Sequence, residues 1–385
     1  MLGVLRIIYL FLHYLLGMAF RIVFASFYIG SYYLVENPKA KLGLGVRHHP
    51  GTSQQSGLWC IFAINQRAHI SQNLVSFTEC LQRAGYNVIL INNGRCSDEL
   101  VAALLPYRHT IVLKPRGGRD FGSYKWGSGL LYDMEKTTQA ISQVIYCNDS
   151  IFVRPSALCC LLDNVKQLSE DYIGITESLD PYYHVQSWFF VVSGRLFHSN
   201  TFQNFWRKYK PLSYRLHSIK RGELGISSYF MRSGFDAHPL YTQAMIIDYV
   251  FDGSLTEAIE RLFISFGPQE YNAIKDKVQQ VTFSPMPQEQ SARNFLKHYL
   301  MESLAGSNTI NATNLILLER STFPFLKKDL VYRGGYFFTQ IDHTIGRWIG
   351  EDAEYVKEIL AYFRSRGSLQ RRHSVPAVLA RIGIL

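Results

Sequence analysis

The sequence predicts an α/β fold: a Rossmann-like, mostly parallel sheet with helices on both faces. Three observations lead there. Between residues 57 and 147, apolar runs of strand type alternate with helical patterns, the rhythm of a parallel sheet covered on both sides. Hydrophobic residues make up 47% of 385, enough to fill the core of one large domain or two. A basic, glycine-rich stretch, Lys114–Gly129 (KPRGGRDFGSYKWGSG), follows one of the strands. Ligands of open α/β sheets bind at such strand ends.

The first stretch, Met1–Val35, is strongly apolar but interrupted by Arg6, His13 and Arg21. Its uninterrupted runs fall short of the ~20 residues that span a bilayer. Three readings stand: a helix lying in the membrane interface, an anchor that tolerates its arginines, or a buried helical hairpin. Membrane attachment is favoured, with the segment as a tether remote from the chemistry.

From Gly57 the elements follow in order. Leu58–Ile64 is a buried strand, and His69–Ala84 an amphipathic helix stopped by Gly85. Tyr86–Ile91 is a second strand, ending in the turn Asn92-Asn93-Gly94. Ser97 caps a helix from Asp98 to Leu105 that carries two acids in its first turn. Thr110–Leu113 is a third strand, Gly122–Ile141 a helix opening after the glycine-rich loop, and Gln143–Cys147 a fourth strand. His184–Val192 reads as one strand with His184 and Gln186 on the same face. Arg221–Phe235 reads as a helix with Glu223 in its first turn, where the helix dipole favours an acid. The bland alternative for each polar residue is structural: a turn, a cap or a satisfied edge-strand histidine.

Charge and cysteine content narrow the function. The net charge is +10 and the pI about 9.2, which suits nucleic acid, an anionic membrane or a phosphorylated substrate. No zinc-finger spacing, RNP-type run or basic zipper is present, so no nucleic-acid partner is expected. Six cysteines occur without a CxxC pair, which argues against a zinc ribbon or thioredoxin site. Glycine beside Lys114, Arg116 and Arg119 suits backbone that passes close to an anion. The triplet Asn148-Asp149-Ser150 follows the fourth strand. There Asp149 is an oxygen ligand of the kind a divalent metal prefers.

Five motifs occur in order: GRDFGSYKWG, CNDS, HVQSWFF, GELGISSYFMRSGF and FPFLKKDL. Together they resemble the rhamnan synthesis protein F family of bacterial glycosyltransferases, over roughly Gly57 to Gly335. The resemblance implies a glycosyltransferase A type fold. It also implies transfer of L-rhamnose from dTDP-rhamnose, with inversion, to a lipid-linked polysaccharide (O-antigen or cell-wall rhamnan) at the cytoplasmic face of the bacterial inner membrane. By the same resemblance Asn65 lies where the nucleobase is held. Arg116, Arg119, Asp120, Tyr124, Asn148, His184 and Gln186 line the substrate site, and Lys327 reaches a phosphate. Glu223 is the implied base, with Asp120 as a second catalytic candidate, and Asp149 would hold Mg²⁺ or Mn²⁺. The CNDS motif departs from the Asp-x-Asp pattern of that fold, since Asn148 is neutral. That departure keeps two other readings alive: a non-catalytic scaffold of a polysaccharide assembly complex, and a transferase using a UDP-sugar. The expected organisation is a membrane-associated segment (1–35), a nucleotide-sugar-binding catalytic domain (57–240), an acceptor-side part (241–345) and a basic helical tail (346–385).

Overall fold

The computed structural model describes residues 18, 22–23, 25–38, 45–52, 56–67, 70–94, 97–107, 110–114, 117–135, 140–265, 288–320, 322–331, 336–346 and 352–367. It is a mixed α/β structure around a mostly parallel sheet. β1 (Arg47–His49), β2 (Leu58–Ile64), β3 (Asn87–Asn93), β4 (Thr110–Lys114) and β5 (Gln143–Asn148) lie in the order β1-β4-β3-β2-β5. The last four are parallel, and β1 closes the edge antiparallel to β4. Beyond β5 come β9 (Phe189–Ser193), antiparallel to it, then β7 (Tyr172–Ser178) and β10 (Ala237–Tyr241). β8 (His184–Val185) pairs with β7. β6 (Ile151–Val153) and β11 (Phe325–Lys327) form a separate two-stranded ribbon.

The central strands are almost wholly buried, as strands covered on both faces must be. β2 lies between β3 and β5, so the strand order reverses there. The crevice outside the carboxyl ends of β2 and β5 is where this topology places ligands.

Several boundaries differ from the sequence expectation. Helix α1 (Gln72–Arg83) starts after His69, because Ser71 caps it: its Oγ accepts from Leu74 N at 3.2 Å. Helix α2 (Asp98–Leu104) has its expected cap, Ser97 Oγ accepting from Leu100 N at 3.2 Å. Asn92 and Asn93 do not turn; they extend β3 opposite Leu113 and Lys114, and Gly94, at φ +133°, makes the turn. Helix α3 (Arg119–Glu135) starts three residues before Gly122, since the end of the glycine-rich loop is wound into its first turn. Gly122 N donates to Gly118 O at 2.7 Å. The strand expected over His184–Val192 is broken at Gln186–Trp188.

Two cores flank the sheet. On one face α1, helix α4 (Pro155–Gln167) and C-terminal segments pack together. On the other, α3 (Phe121, Tyr124), helix α5 (Asn200–Lys208; Phe202, Trp206) and helix α6 (Leu224–Arg232; Phe230) pack with Tyr146 and Phe190 of the sheet. Helices α7 (Gln243–Phe251), α8 (Leu255–Ser265), α9 (Gln288–Ala305) and α10 (Thr309–Glu319) share a third, smaller core. Helix α11 (Ala353–Gly367), in the segment read as a tail, buries Tyr355, Ile359 and Phe363 in the first core. Tyr355 Oη also donates to Asn73 Oδ1 at 2.7 Å. Residues 368–385 lie outside the described residues.

Only a glycine fits where α3 crosses the sheet. A Cβ on Gly127 would stand 2.6 Å from Ile61 Cγ2 and 2.8 Å from Ile91 Cδ1. Gly127→Val should therefore lift α3 and destabilise the fold by about 1–3 kcal/mol, read as a lowered urea midpoint. A wild-type midpoint would mean that α3 has room to spare.

Candidate functional site

At the reversal point, Asp149 closes the gap between β2 and β5. Its N–H donates to Ala63 O at 3.1 Å. Its Oδ2 accepts from Asn65 N at 2.9 Å and Gln66 Nε2 at 3.1 Å. Gln66 is fixed in turn by Asn92, whose Oδ1 accepts from Gln66 N at 2.9 Å. Asn65 is exposed beside this network.

Asn148 binds the neighbouring elements. Its Oδ1 accepts from Ser150 N at 3.0 Å, so its Nδ2 faces the other way and donates to Asp120 Oδ2 at 2.8 Å. Ser150 Oγ accepts from Lys327 Nζ at 3.2 Å. Lys327 is buried, with its ammonium 5.6 Å from the Trp188 ring centroid. Asp120 is exposed at its surface, yet burial of its carboxyl among the neighbouring groups pushes it above the ordinary range. Arg119 and Lys327 counter that rise, and Asp149 adds to it.

The loop before α3 is strained and well anchored. Gly118 has φ +71° and Arg119 φ +52°, and a left-handed non-glycine residue costs about 1–2 kcal/mol. Such outliers concentrate at functional sites. Lys114 is buried and donates to Asn93 Oδ1 at 2.9 Å and Gly117 O at 2.7 Å. Burial brings its ammonium down to about 8, against the raising influence of Glu36 and Asp120. Arg116 lies outside the described residues.

Glu223 is not at a helix start. Arg215–His217, a π-helical turn Ser218–Glu223 and α6 form one continuous helix, and Glu223 lies inside it. The helix-dipole explanation therefore fails, and π-turns within helices recur at functional sites. Glu223 Oε2 accepts from Ser187 N at 3.0 Å and Ser187 Oγ at 2.6 Å. Its Oε1 faces His184 Nε2 at 3.6 Å, a charge pair longer than a hydrogen bond. Burial opposes the charge on Glu223, but His184 and Ser187 outweigh it and hold the carboxyl at about 2. Burial likewise opposes the imidazolium of His184, and Glu223 raises its pKa above 6.5 all the same. His184 Nδ1 is 2.9 Å from Tyr182 O, which assigns the ring's other proton.

The two halves meet at Tyr124, whose hydroxyl donates to Ser187 O at 3.2 Å while Asp120 and Asn148 lie within electrostatic reach of it. Gln186 turns inward: its Oε1 accepts from Thr176 Oγ1 at 2.5 Å and from Trp188 Nε1 at 3.4 Å. The fold thus gathers Asn65, Arg119, Asp120, Tyr124, Asn148, Asp149 and Lys327 at the β2–β5 end, with His184 and Glu223 adjoining through Ser187. Sequence reasoning passed over Gln66, Asn92 and Ser187. Ser187 sits inside the HVQSWFF motif, at the break between β8 and β9 that one regular strand over 184–192 would not contain.

The N-terminal segment also touches this region. Described residues from 25 to 38 are helical, with a π-helical turn at Tyr32–Glu36. Tyr28 stacks on Tyr214 at 5.7 Å, and Glu36 Oε1 accepts from Ser213 Oγ at 3.1 Å. Among the described residues no helix is long and apolar enough to cross a membrane.

Comparison with known proteins adds two findings. A family model described as rhamnan synthesis protein F matches residues 88–328. Uncharacterized protein y4gN of Sinorhizobium fredii (strain NBRC 101917 / NGR234) is 23% identical over 201 residues, which is 51% of this chain and 52% of that protein. The chain thus spans about half the length of that curated relative.

The ion pair fixes a pH signature. Glu223 has a depressed pKa, so its contribution to stability is present above its ordinary 4.5 and lost as pH falls towards about 2. His184 has a raised pKa, so its contribution is present below 6.5 and lost as pH rises through the raised value. The stability advantage of wild type over Glu223→Gln should peak between about 4.5 and 6.5 and decline on both sides. An advantage independent of pH, measured by urea unfolding, would show the pair to be unlinked.

Proposed function

The chain belongs to the rhamnan synthesis protein F family, and from that premise we propose that it is an inverting glycosyltransferase moving L-rhamnose from dTDP-rhamnose onto a lipid-linked polysaccharide. The family supports a glycosyltransferase-like role in rhamnan synthesis. The donor, the acceptor, the inversion and the place of work, at the cytoplasmic face of the bacterial inner membrane, are our reading. One observation carries it: a strand end beside the cations Arg119 and Lys327 and an ionised, clamped carboxylate adjoin through Tyr124 and Ser187.

On the donor side, Asn65 meets the base beside the rigid Gln66–Asn92 pair. Arg119 and Lys327 balance the diphosphate, with the opening turn of α3 next to it. Departure of the diphosphate builds charge on the leaving oxygen, and preorganised cations stabilise it. Asp120 and Asp149 repel one another, which a cation between them would relieve. Among the described residues no three metal-ligating side chains gather, so Mg²⁺ or Mn²⁺ would take its remaining ligands from phosphate and water. Bound there, it would supply further neutralisation of the diphosphate.

On the acceptor side, Glu223 Oε1 takes the proton of the attacking hydroxyl. A carboxylate held at about 2 is a weak base, but the hydroxyl becomes strongly acidic as its oxygen bonds to the anomeric carbon. Ionisation at every physiological pH then matters more than basicity. Attack opposite the departing diphosphate inverts the centre. The exposed apolar residues of the N-terminal helix, among them Ile22, Val23, Phe27 and Leu34, suit a lipid surface where such an acceptor lies.

The test is a nucleotide-sugar panel. Purified protein should release dTDP from dTDP-rhamnose when acceptor is present; release of UDP from a UDP-hexose would reassign the donor, and no release from any donor would leave a scaffold. Glu223→Gln should lower turnover about 10²–10⁴-fold with donor affinity unchanged, and normal turnover would move the base elsewhere. Asp149→Ala should abolish transfer with the fold intact; survival of activity, insensitive to chelator, would end the metal role. Arg119→Gly is the most informative variant. It relaxes a left-handed backbone while removing the guanidinium, so stability should not fall while donor binding weakens by about 1.5–3 kcal/mol. Unchanged donor affinity would take Arg119 out of the site.

A further inference from the structure

The N-terminal helix makes contacts that a tether does not need. Its far end lies against the strap Tyr209–Tyr214, which connects α5 to the helix carrying Glu223. Tyr28 stacks on Tyr214, with rings 17° apart. Lys210 Nζ donates to the Tyr33 hydroxyl. Pro211 abuts the glycine-rich loop so closely that a Cβ on Gly118 would stand 2.5 Å from it.

Glu36 completes the connection. Its Oε1 accepts from Ser213 Oγ at 3.1 Å, and the same Ser213 oxygen accepts from Gly118 N at 3.1 Å. A Cβ on Gly117 would lie 2.9 Å from Glu36 Oε2. The carboxylate also acts on the buried Lys114 ammonium, which is bonded to the carbonyl of Gly117. Glu36 therefore meets the glycine-rich loop by three routes: through Ser213 to Gly118, by direct packing on Gly117, and by charge on Lys114. Arg119 and Asp120 follow directly in the chain.

We infer that Glu36 is a positioning residue for the donor site: from the end of the N-terminal helix it holds the loop Gly117–Asp120 in its left-handed turn. The inference rests on the reading of that loop as the donor's diphosphate site. Its physical basis is the strain at Arg119. A left-handed non-glycine residue persists where its surroundings over-determine it, and Ser213 and Glu36 supply part of that restraint. The same helix also exposes apolar side chains at Phe27, Ile29, Leu34 and Val35. Whatever settles the helix on a lipid surface thus also settles an element of the donor site.

Hydrogen exchange and kinetics on the full chain test this together. Glu36→Ala and Ser213→Ala should each speed amide exchange across 117–122 severalfold and raise the donor KM severalfold, with the acceptor KM unchanged. Glu36→Gln, which still accepts from Ser213, should restore most of the protection. The double variant should be no worse than either single one, because both changes break one chain of contacts. Wild-type exchange and wild-type donor KM in Glu36→Ala would overturn the inference, as would equal rises in both KM values. A wild-type protein that turns over no donor would count against the glycosyltransferase reading, and the exchange arm would still decide whether Glu36 holds the loop.

Discussion

The site depends on one hydrogen bond, from Asn148 Nδ2 to Asp120 Oδ2 at 2.8 Å. It fastens the end of β5 to the first turn of α3. The same side chain holds Ser150, Ser150 receives Lys327, and the backbone N–H of Asn148 donates to Trp188 O at 3.2 Å. One residue thus ties together β5, α3, β11 and the lead into β9. It also accounts for the neutral residue where the resembled fold expects an acid. An aspartate at 148 would have no proton to donate and would repel Asp120. Once the second acid comes from α3, the strand end needs a donor, and asparagine is one. The two carboxylates of this cluster come from different elements: Asp149 directly follows β5, and Asp120 lies in the first turn of α3.

Rigidity beneath that cluster comes from aromatic rings. Tyr146 stacks on Phe190 with centroids 4.8 Å apart, and Tyr124 meets both edge-on at 5.5 and 5.7 Å. Each such pair adds about 0.5–1.5 kcal/mol beyond the area it buries. More important here is what the layer connects. Tyr124 sits on α3 and its hydroxyl reaches Ser187, which binds Glu223. Helix α3 and the Glu223 carboxylate are thereby referred to the same packed layer, so a shift of α3 disturbs both.

What could be read from the sequence was what local periodicity determines. β2, β4 and β5 are continuous apolar runs, and the caps Ser71 and Ser97 act within one turn of themselves, although the expected start at His69 passed over Ser71. The ordered motifs were legible because each is short and contiguous. The failures came where tertiary contact decides. Asn92 and Asn93 look like a turn, but pairing with β4 draws them into β3. A regular strand was expected through Gln186, yet its amide is satisfied inward by Thr176. Glu223 has the composition of a helix start, and the preceding turns of its helix were not apparent from residues 215–222. The bond between Glu36 and Ser213 joins residues 177 positions apart, which no window along the chain can show.

Glu223 is the last residue of the π-helical turn. An α-helix advances about 100° per residue, so the extra residue of a π-turn swings everything after it by about that angle. Gly222 lies in that turn against Phe121, where a Cβ would stand 2.7 Å from the ring. The close approach brings the helix down onto α3 at the residue next to Asp120. Glu223, one step further, is then turned away from Phe121 towards Ser187 and His184. The wide turn sets the register of α6, which carries Ile226 and Phe230 into the core with Phe121, relative to Arg215–His217. The glycine allows the close contact at residue 222, and its neighbour Glu223 meets Ser187 and His184 at the break between β8 and β9.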